Sequence, residues 1–472
     1  MCSTLLSHLP GDVLFDILKY CDLKDILSFS LVCSIFHGFS QKRALWITAL
    51  ERTRSFQQPI ARPFHDDLTK YTFNELKRVV LHTLRLQRNW ELPLPKILGN
   101  IKTFMLPGKL DTVFQIPGTE LYLMHSTAMG NIVCWDVGLE KPVSAVVDIG
   151  GMITDRFLVQ TEYGRASTAA VVSGHDLLMC HLIIISVEYG SGNVDIQVTF
   201  RRECFSQLLY LSVFSNEDIV GVVRCDLTLD VPRIEIVAFN QFLEDRMAVV
   251  QTDIEFRQLQ QEVAVSFLDN DMTIHTSDSA SHLLYACSKD LLPYCWNTDL
   301  QIQRVLNCSQ SYEALETTQS LEDEDASSLQ QEAILGANPI YGVRAISVLS
   351  EIRDKPSVYI RFWTAGTVGN ISPRNAGDHI VKVSGRLQDW PGWLAFLLSH
   401  SGTIVLLAMK EEERSFLQLV RYDPLISTSS IHRLDIPDTI DLSIVYGLSL
   451  DDHLGVVTVV DRRGCLFAIP YA

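Results

Sequence analysis

Residues 8–46 read HLPGDVLFDILKYCDLKDILSFSLVCSIFHGFSQKRALW, and this stretch decides how the rest of the chain is interpreted. Pro10 stands where a helix can begin, because its missing N–H needs no partner in the first turn. Four apolar residues then recur with helical spacing and give one apolar face: Val13, Leu14, Ile17 and Leu18. The pattern predicts a short first helix.

A second helix is predicted to follow, with Asp22 as its N-cap and Asp25 three residues later. Its apolar stripe contains Ile26, Leu27, Leu31, Ile35 and Phe36. Val32 and Cys33 add apolar side chains away from that stripe, and Leu45-Trp46 closes the unit. A unit of about 40 residues rarely stabilises itself alone, and a helix that is apolar on more than one face needs a partner on each.

The order of these residues resembles an F-box. The family motif is L-P-x-[DE]-[VI]-L, then I-L, D-L, L-L, L-V-C, an aromatic residue and L-W. The matching positions are Leu9-Pro10, Asp12-Val13-Leu14, Ile17-Leu18, Asp22-Leu23, Ile26-Leu27, Leu31-Val32-Cys33, Phe36 and Leu45-Trp46. Phe36 stands where the family more often has Trp.

The resemblance implies that the stretch docks on the Skp-family adaptor of an SCF-type cullin–RING ubiquitin ligase, and through it on a cullin. The residues that it implies for this contact are Leu9, Pro10, Val13, Leu14, Ile17, Leu23, Ile26, Leu27, Leu31, Val32 and Cys33. It also implies that a second domain captures an unknown protein substrate. Ubiquitin transfer would then be the work of other subunits.

Charge is unevenly distributed along the 472 residues, whose net charge is −17. Residues 1–95 hold 12 Lys+Arg against 9 Asp+Glu, whereas the remainder holds 27 against 47. Because phosphates would be repelled by such an acidic body, we expect neither nucleic acid nor a membrane as a partner.

Eleven cysteines occur without any C-x-x-C pattern, which indicates reduced thiols in an intracellular protein, cytoplasmic and/or nuclear. The N-terminus has no basic region and no long apolar run, so no signal peptide is predicted. The apolar run from Trp393 to Met409 is interrupted by Ser399-His400-Ser401-Gly402, which favours two buried strands over a membrane span.

The three predicted segments are an F-box at residues 1–50, a linker at 51–95 and a β-rich body at 96–472. In the linker, Thr72 and Glu75 form a capping-box pattern that opens a helix. The apolar face of this helix contains Leu76, Val79, Val80, Thr83, Leu86 and Trp90, and Pro93 and Pro95 stop it. The helix is similar to the linker helix of many fungal F-box proteins whose next domain is a propeller.

The body alternates short apolar runs with turn residues, which is typical of a sandwich, a barrel or a propeller. Its last part, Leu454–Val460 and Cys465–Ile469 around the turn at 461–464, predicts an antiparallel hairpin. Several strands end in an aromatic residue followed by Asp, Asn or Thr, similar to the ending of WD-type blades: Trp135-Asp136, Trp296-Asn297, Trp363-Thr364 and Tyr422-Asp423. A seven- or eight-bladed β-propeller is therefore the expected architecture.

Residues 309–333 are polar and acidic, and they are interpreted as a mobile insertion between strands. No catalytic, cofactor-binding or metal-binding residue is predicted, because no hydrolase, phosphate-loop or zinc spacing occurs. We therefore expect a non-catalytic substrate receptor without a cofactor. Two alternatives remain open: a propeller scaffold outside any ligase, and, with less support, a propeller enzyme.

Overall fold

The computed structural model describes residues 9–55, 58–62, 66–107, 110–157, 159–174, 179–190, 192–205, 209–216, 218–228, 230–243, 246–256, 262–268, 271–277, 282–288, 304–306, 329–336, 343–351, 356–364, 378–388, 395–412, 414–423 and 428–472. The α-helices all lie before residue 91, and the strands all lie after residue 101.

Five α-helices form the N-terminal part: α1 Gly11–Leu18, α2 Leu23–Ser30, α3 Ser34–Ser40, α4 Arg43–Ser55 and α5 Phe73–Trp90. We call α1 to α4 the helical module. The prediction of one long second helix is wrong, because the chain turns at residues 31–33 and forms two helices, α2 and α3, in its place. Pro10 is the N-cap of α1 instead of its first helical residue.

The linker differs from the expectation at its start, because α4 continues to Ser55. Helix α5 agrees with the expectation. Its Thr72 side chain accepts a hydrogen bond from the Glu75 N–H, and the Glu75 carboxylate accepts one from the Thr72 N–H. All six predicted face residues of α5 are buried, and the helix ends before Pro93 and Pro95. None of the described helices has the length and apolar character that crossing a membrane requires.

The body is built from strands that follow one another along the chain. Those described are β1 Lys102–Met105, β2 Asp111–Gln115, β3 Leu121–Ser126, β4 Asn131–Asp136, β5 Lys141–Pro142, β6 Val147–Asp148, β7 Gly151–Arg156, β8 Gln160–Glu162, β9 Arg165–Gly174, β10 Met179–Glu188, β11 Asp195–Phe205, β12 Leu209–Asn216, β13 Ile219–Cys225, β14 Arg233–Asn240, β15 Met247–Glu255, β16 Glu262–Leu268, β17 Asp271–Ser277, β18 His282–Ser288, β19 Arg304–Leu306, β20 Leu329–Gly336, β21 Val343–Glu351, β22 Ser357–Thr364, β23 Asp378–Ser384, β24 Arg386–Leu387, β25 Phe396–Leu398, β26 Ile404–Glu411, β27 Arg414–Asp423, β28 Thr428–Arg433, β29 Val445–Asp451, β30 Val456–Asp461 and β31 Cys465–Pro470.

The strands sort into seven sheets. Sheet 1 contains β2–β6, sheet 2 contains β7–β11, sheet 3 contains β12–β15 with β19, and sheet 4 contains β16–β18. Sheet 5 contains β20–β23, sheet 6 contains β24–β28, and sheet 7 contains β29–β31 with β1. Neighbouring strands are antiparallel except β15 and β19, which pair in parallel.

The sheets form a closed ring, because each packs against the next. Apolar clusters join sheets 1 and 2, 2 and 3, 3 and 4, 5 and 6, 6 and 7, and 7 and 1, while β16 contacts β20 and β21 between sheets 4 and 5. The ring is fastened where β1 pairs with β31, so that the first strand completes the last sheet. This architecture is a β-propeller.

Blade number differs from the expectation. Five sheets (1, 2, 3, 6 and 7) are blades of four or more strands whose side chains are mostly described. Sheet 4 has three described strands, and most side chains of sheet 5 lie outside the described residues. The structure thus provides five fully described blades instead of the expected seven or eight.

Several local expectations are confirmed. Trp135, Trp363 and Tyr422 lie at the ends of β4, β22 and β27, which are the third strands of their blades. The run from Trp393 to Met409 contains two strands, β25 and β26, and the C-terminal hairpin is β30–β31.

Two other expectations concern residues that the structure does not describe, or describes only in part. Trp296-Asn297 lies outside the described residues, as do residues 309–328 of the acidic segment. The interpretation of that segment as an insertion is wrong for its last five residues, because residues 329–333 belong to β20.

Candidate functional site

The helical module has its own apolar core. Leu14 and Leu18 lie one turn apart on the buried side of α1, and Ile26 of α2 is fully buried beside them. Trp46 of α4 is also buried, and its indole N–H donates a hydrogen bond of 2.7 Å to the Ser40 carbonyl oxygen. Because the indole donor is satisfied, the ring can fill the core at no polar cost.

A second group of apolar side chains in the module faces solvent. On α1, Val13 and Ile17 are 39% and 41% exposed, one turn apart on the side away from the core. At the turn between α2 and α3, Leu31 and Val32 are 78% and 70% exposed, and Ile35 in the first turn of α3 is 55% exposed. We call these five residues the exposed apolar set. An apolar side chain that faces solvent gains free energy when a partner buries it.

The eleven residues expected to bind an adaptor fall into three groups in the structure. The exposed ones are Pro10, Val13, Ile17, Leu31 and Val32. The half-buried ones, packed against the core, are Leu9, Leu27 and Cys33. The buried ones are Leu14, Leu23 and Ile26. A side chain in the last group cannot reach a partner while the core is intact, so the structure gives those three an internal role.

Sequence reasoning missed the exposure of Ile35, which it assigned to the stripe of a continuous second helix. The chain leaves the helix after Ser30, and Cys33 adopts an extended conformation as the N-cap of α3. Ile35 therefore lies on the first turn of a new helix with its own orientation. A signal for this break was Ser34, since serine is favoured near helix starts.

Helix α5 fixes the module to the propeller. Leu86 and Trp90 lie in the same apolar cluster as the strands of sheets 6 and 7, and the Trp90 ring packs 5.3 Å from that of Tyr471. The Asn89 side-chain amide donates to the carbonyl oxygens of Lys96 and Tyr471, and its own oxygen accepts from the Lys96 N–H. Three bonds from one buried side chain join the helix, the linker and the end of the chain.

The turn between β29 and β30 is the second attachment. Its His453 ring nitrogen Nδ1 lies 2.8 Å from the Ile60 carbonyl oxygen, and the His82 Nε2 lies 2.9 Å from the Leu454 carbonyl oxygen. Burial lowers the pKa of His82, which favours the neutral ring that donates to Leu454. Both contacts therefore tie residues before the propeller to one turn of its last blade.

Asp451 holds that turn in place. Its carboxylate accepts hydrogen bonds from the N–H groups of Gly118, His453 and Leu454 and from the Gln115 amide. Burial raises its pKa to about 6, although His453 and the backbone donors act in the opposite direction. Because Gln115 and Gly118 belong to sheet 1, the same carboxylate joins neighbouring blades across the closure of the ring.

The linker continues across the propeller to sheet 2. The Lys70 ammonium lies 3.6 Å from the centre of the Tyr163 ring, in the turn between β8 and β9. Burial raises the pKa of Tyr189, beside the turn between β10 and β11, to about 12, and the charge of Asp66 acts in the same direction. The linker thus reaches from sheet 7 to sheet 2.

All of these turns lie on one face of the ring, because successive antiparallel strands reverse direction and place alternate turns at opposite ends. We call the face that carries the turns β29–β30, β8–β9 and β10–β11 the linker face. The opposite face, which we call the free face, carries the turns β3–β4, β13–β14 and β30–β31. The contacts of Ile60, Lys70 and His82 with the propeller involve turns of the linker face, so the free face is turned away from the module.

Between the module and the propeller lies a cleft of about 540 Å³. Its lining combines three basic residues, Lys24, Arg52 and Arg421, with three acidic ones, Asp22, Glu91 and Asp423, so the two signs of charge are balanced. Among the described residues, no three or more His, Cys, Asp or Glu side chains are grouped so as to hold a metal ion.

Comparison with known proteins identifies the helical module. The sequence model of the F-box domain matches residues 6–48. No curated protein sequence matches the chain.

Solved structures similar to the chain include the β-propeller domain of Myceliophteria thermophila Cps50 (Swd1), at 9% identity and a TM-score of 0.43, covering 79% of this chain and 99% of that one. The WD40 domain of SCAP from fission yeast is similar at 8% identity and a TM-score of 0.32, covering 79% and 98%. It is the closed ring of sheets that identifies the body of this chain as a β-propeller.

Proposed function

We propose, from the F-box domain at residues 6–48 and the β-propeller that follows it, that this chain is the substrate receptor of an SCF-type cullin–RING ubiquitin ligase. The F-box would bind a Skp-family adaptor and through it a cullin, inside the cell. The propeller would bind the protein substrate. The observation that carries the proposal is the exposed apolar set on an otherwise well-packed F-box.

The exposed apolar set supports adaptor docking for an energetic reason. Burying an apolar side chain at an interface contributes about 1.5–3 kcal/mol when it was fully exposed before. Leu31 and Val32 are the most exposed members, so they have the most area to lose to a partner. Contact through Leu14, Leu23 or Ile26, in contrast, would require the core of the module to open.

The free face is the proposed substrate side. It presents apolar side chains from three blades, including Met129 of sheet 1, Leu227 of sheet 3 and Met105 of sheet 7. The Arg462 and Arg463 side chains are exposed in the turn beside Met105. Loops at the end of a rigid scaffold are common places for recognition. Substrate bound there would sit across the ring from the adaptor.

In the mechanism we propose, this chain brings the substrate close to the ubiquitin-loaded subunit and carries out no chemical step itself. The F-box is joined to the propeller through α5, Asn89 and His453, so a substrate on the free face is held at a fixed distance from the adaptor. A fixed distance raises the local concentration of substrate near the ubiquitin-loaded subunit. The second candidate, a propeller scaffold without a ligase, shares the same binding surfaces and differs only in its F-box partner.

Co-purification of the full chain with a Skp-family adaptor tests the proposal. We expect a stable complex that is lost in the Leu31→Glu/Val32→Glu variant, since two charges would be buried at the contact. The matched control is Leu139→Glu, a similarly exposed leucine on the propeller. No complex with the wild-type chain would leave the scaffold as the better explanation, and a complex that survives both charges would show that the exposed apolar set is not the contact.

A further inference from the structure

Cys180 and Cys204 lie directly opposite each other on the antiparallel strands β10 and β11. The strand register is regular here, and its only irregularity falls between Ile184 and Ile185. Residues in such a pair point to the same side of the sheet, with Cα atoms about 4.5–5.5 Å apart. A disulfide bridges Cα separations of about 4.4–6.8 Å. The backbone therefore already holds the two thiols within reach of each other.

The surroundings of the two thiols differ. Cys204 is buried between sheets 2 and 3, and burial raises the pKa of its thiol. Cys180 is half-buried, and its sulfur lies 3.5 Å from the Ser173 hydroxyl oxygen on the neighbouring strand β9. Because Cys180 is the more exposed of the two, an oxidant from solvent reaches its sulfur before that of Cys204.

We propose that Cys180 and Cys204 form a reversible redox modification site. A peroxide is the oxidant. The Cys180 thiolate attacks one peroxide oxygen, the O–O bond breaks, and the products are a Cys180 sulfenic acid and hydroxide. The Cys204 thiol then attacks the Cys180 sulfur, which forms the S–S bond and releases water. Two thiols are oxidised and one peroxide is reduced, and a dithiol reductant reverses the change.

No other pair of described cysteines is arranged in this way. Cys134 faces Leu123, Cys225 faces Leu209 and Ile234, Cys287 faces Met272, and Cys465 faces Met105 in their strand registers. Cys21 and Cys33 lie in the helical module, and neither belongs to a strand. The register thus predicts one specific cross-link among the described thiols.

The site lies at the free-face end of sheet 2. Cys180 follows the connection from β9 and Cys204 precedes the connection to β12, both opposite to the β8–β9 turn that contacts the linker. The disulfide would tie the two outer strands of this blade together at that end. The inference concerns the propeller alone and does not depend on the function of the F-box.

The test is peptide mapping of the full chain after treatment with hydrogen peroxide and alkylation of the remaining thiols. Trypsin cuts at Arg201 and Arg202, between the two cysteines, so each lies on its own peptide: residues 166–201 and residues 203–224. Each peptide contains a single cysteine. We expect these two peptides to be joined after oxidation and to separate after reduction with dithiothreitol.

Three variants sharpen the test. In Cys204→Ser, Cys180 should stop at the sulfenic acid and react with dimedone, because no second thiol resolves it. In Cys180→Ser, Cys204 should stay reduced, because it is buried. In Cys465→Ser, which removes a half-buried thiol of sheet 7, the joined peptides should form as in the wild type.

Two results would overturn the inference. One is oxidation of Cys465 at peroxide concentrations that leave residues 166–201 and 203–224 unjoined in the folded chain. The other is formation of mixed pairs between Cys180 and several cysteines with equal yield, which would show that the register does not select Cys204. Circular dichroism of each variant checks that the β-fold is retained.

Discussion

The Nδ1 atom of His453 lies 2.8 Å from the carbonyl oxygen of Ile60, although 393 residues separate the two along the chain. His453 belongs to the last blade and Ile60 to the segment before α5, so this contact joins the end of the chain to the F-box side. His82 and Asn89 add further bonds at the same junction. The orientation of the F-box relative to the propeller therefore depends on a few buried polar groups.

At the same junction Gly455 has a φ of +68°, and a Cβ added to it would lie 2.3 Å from Leu86 Cδ1. Gly192 has a φ of +86° and open space around it. We expect Gly192→Ala to lower the free energy of unfolding by about 1–2 kcal/mol, because alanine is strained in a left-handed backbone conformation. Gly455→Ala should lower the free energy of unfolding by about 1–3 kcal/mol more than Gly192→Ala does, because the Leu86 side chain must also move. Urea unfolding of both variants measures the difference, and equal losses would contradict the close approach.

Leu14 and Val13 are adjacent on α1 but face opposite ways. Leu14 is 2% exposed and lies in the core of the module, so Leu14→Ala should lower the free energy of unfolding of the F-box by about 2–5 kcal/mol. Val13→Ala should leave stability nearly unchanged and weaken adaptor binding instead. Thermal unfolding together with calorimetric titration of the adaptor separates the two effects. A stability loss in Val13→Ala equal to that in Leu14→Ala would contradict the assignment of faces.

Asn89 uses its amide N–H groups to bind two carbonyl oxygens, which a carboxylate cannot do. Asn89→Asp keeps the shape of the side chain but places a buried negative charge against the carbonyl oxygens of Lys96 and Tyr471. We therefore expect the free energy of unfolding to fall by about 3 kcal/mol or more. The control is Asn74→Asp, the same chemical change at an exposed position in the first turn of α5, where a negative charge is favourable. Chemical denaturation should show a large loss in the first variant and none in the second.

The lowered pKa of His82 predicts how the stability of the junction depends on pH. Its pKa is lowered in the folded chain, so the unfolded chain binds the proton more readily. The stability that the neutral ring contributes is present above the unfolded-state pKa near 6.5 and is lost as the pH falls toward the lowered value. His82→Gln keeps a donor for Leu454 without titrating. The stability advantage of the wild type over this variant should shrink between about pH 7.5 and about pH 5; an advantage that grows toward acid would contradict the burial of a neutral ring.

Asp451 acts in the opposite direction over part of the same range, since its pKa is raised to about 6. The folded chain binds its proton more readily, so this group lowers stability as the pH rises from about 4 to about 6. For this reason the His82 effect must be read from the difference between wild type and variant, in which the Asp451 contribution cancels.

The sequence by itself determined that helices come first and strands follow. The helical spacing on either side of Asp22, the Thr72–Glu75 capping box and the aromatic residues at the ends of β4, β22 and β27 are local signals. They predicted a helical F-box region, the linker helix and the propeller, but not the break that divides the second helix into α2 and α3. Local signals depend on neighbours a few residues apart, which the sequence shows directly.

Only the tertiary structure decided which apolar residues reach the surface and where the F-box lies. Val13 and Leu14 are equally apolar in the sequence, and their roles separate only when the core of the module packs on one side of α1. Likewise, no spacing predicts that His453 meets Ile60, because 393 residues separate them and only the folded chain brings them together. The reason is that core packing and ring closure join residues far apart in sequence, which local periodicity does not encode.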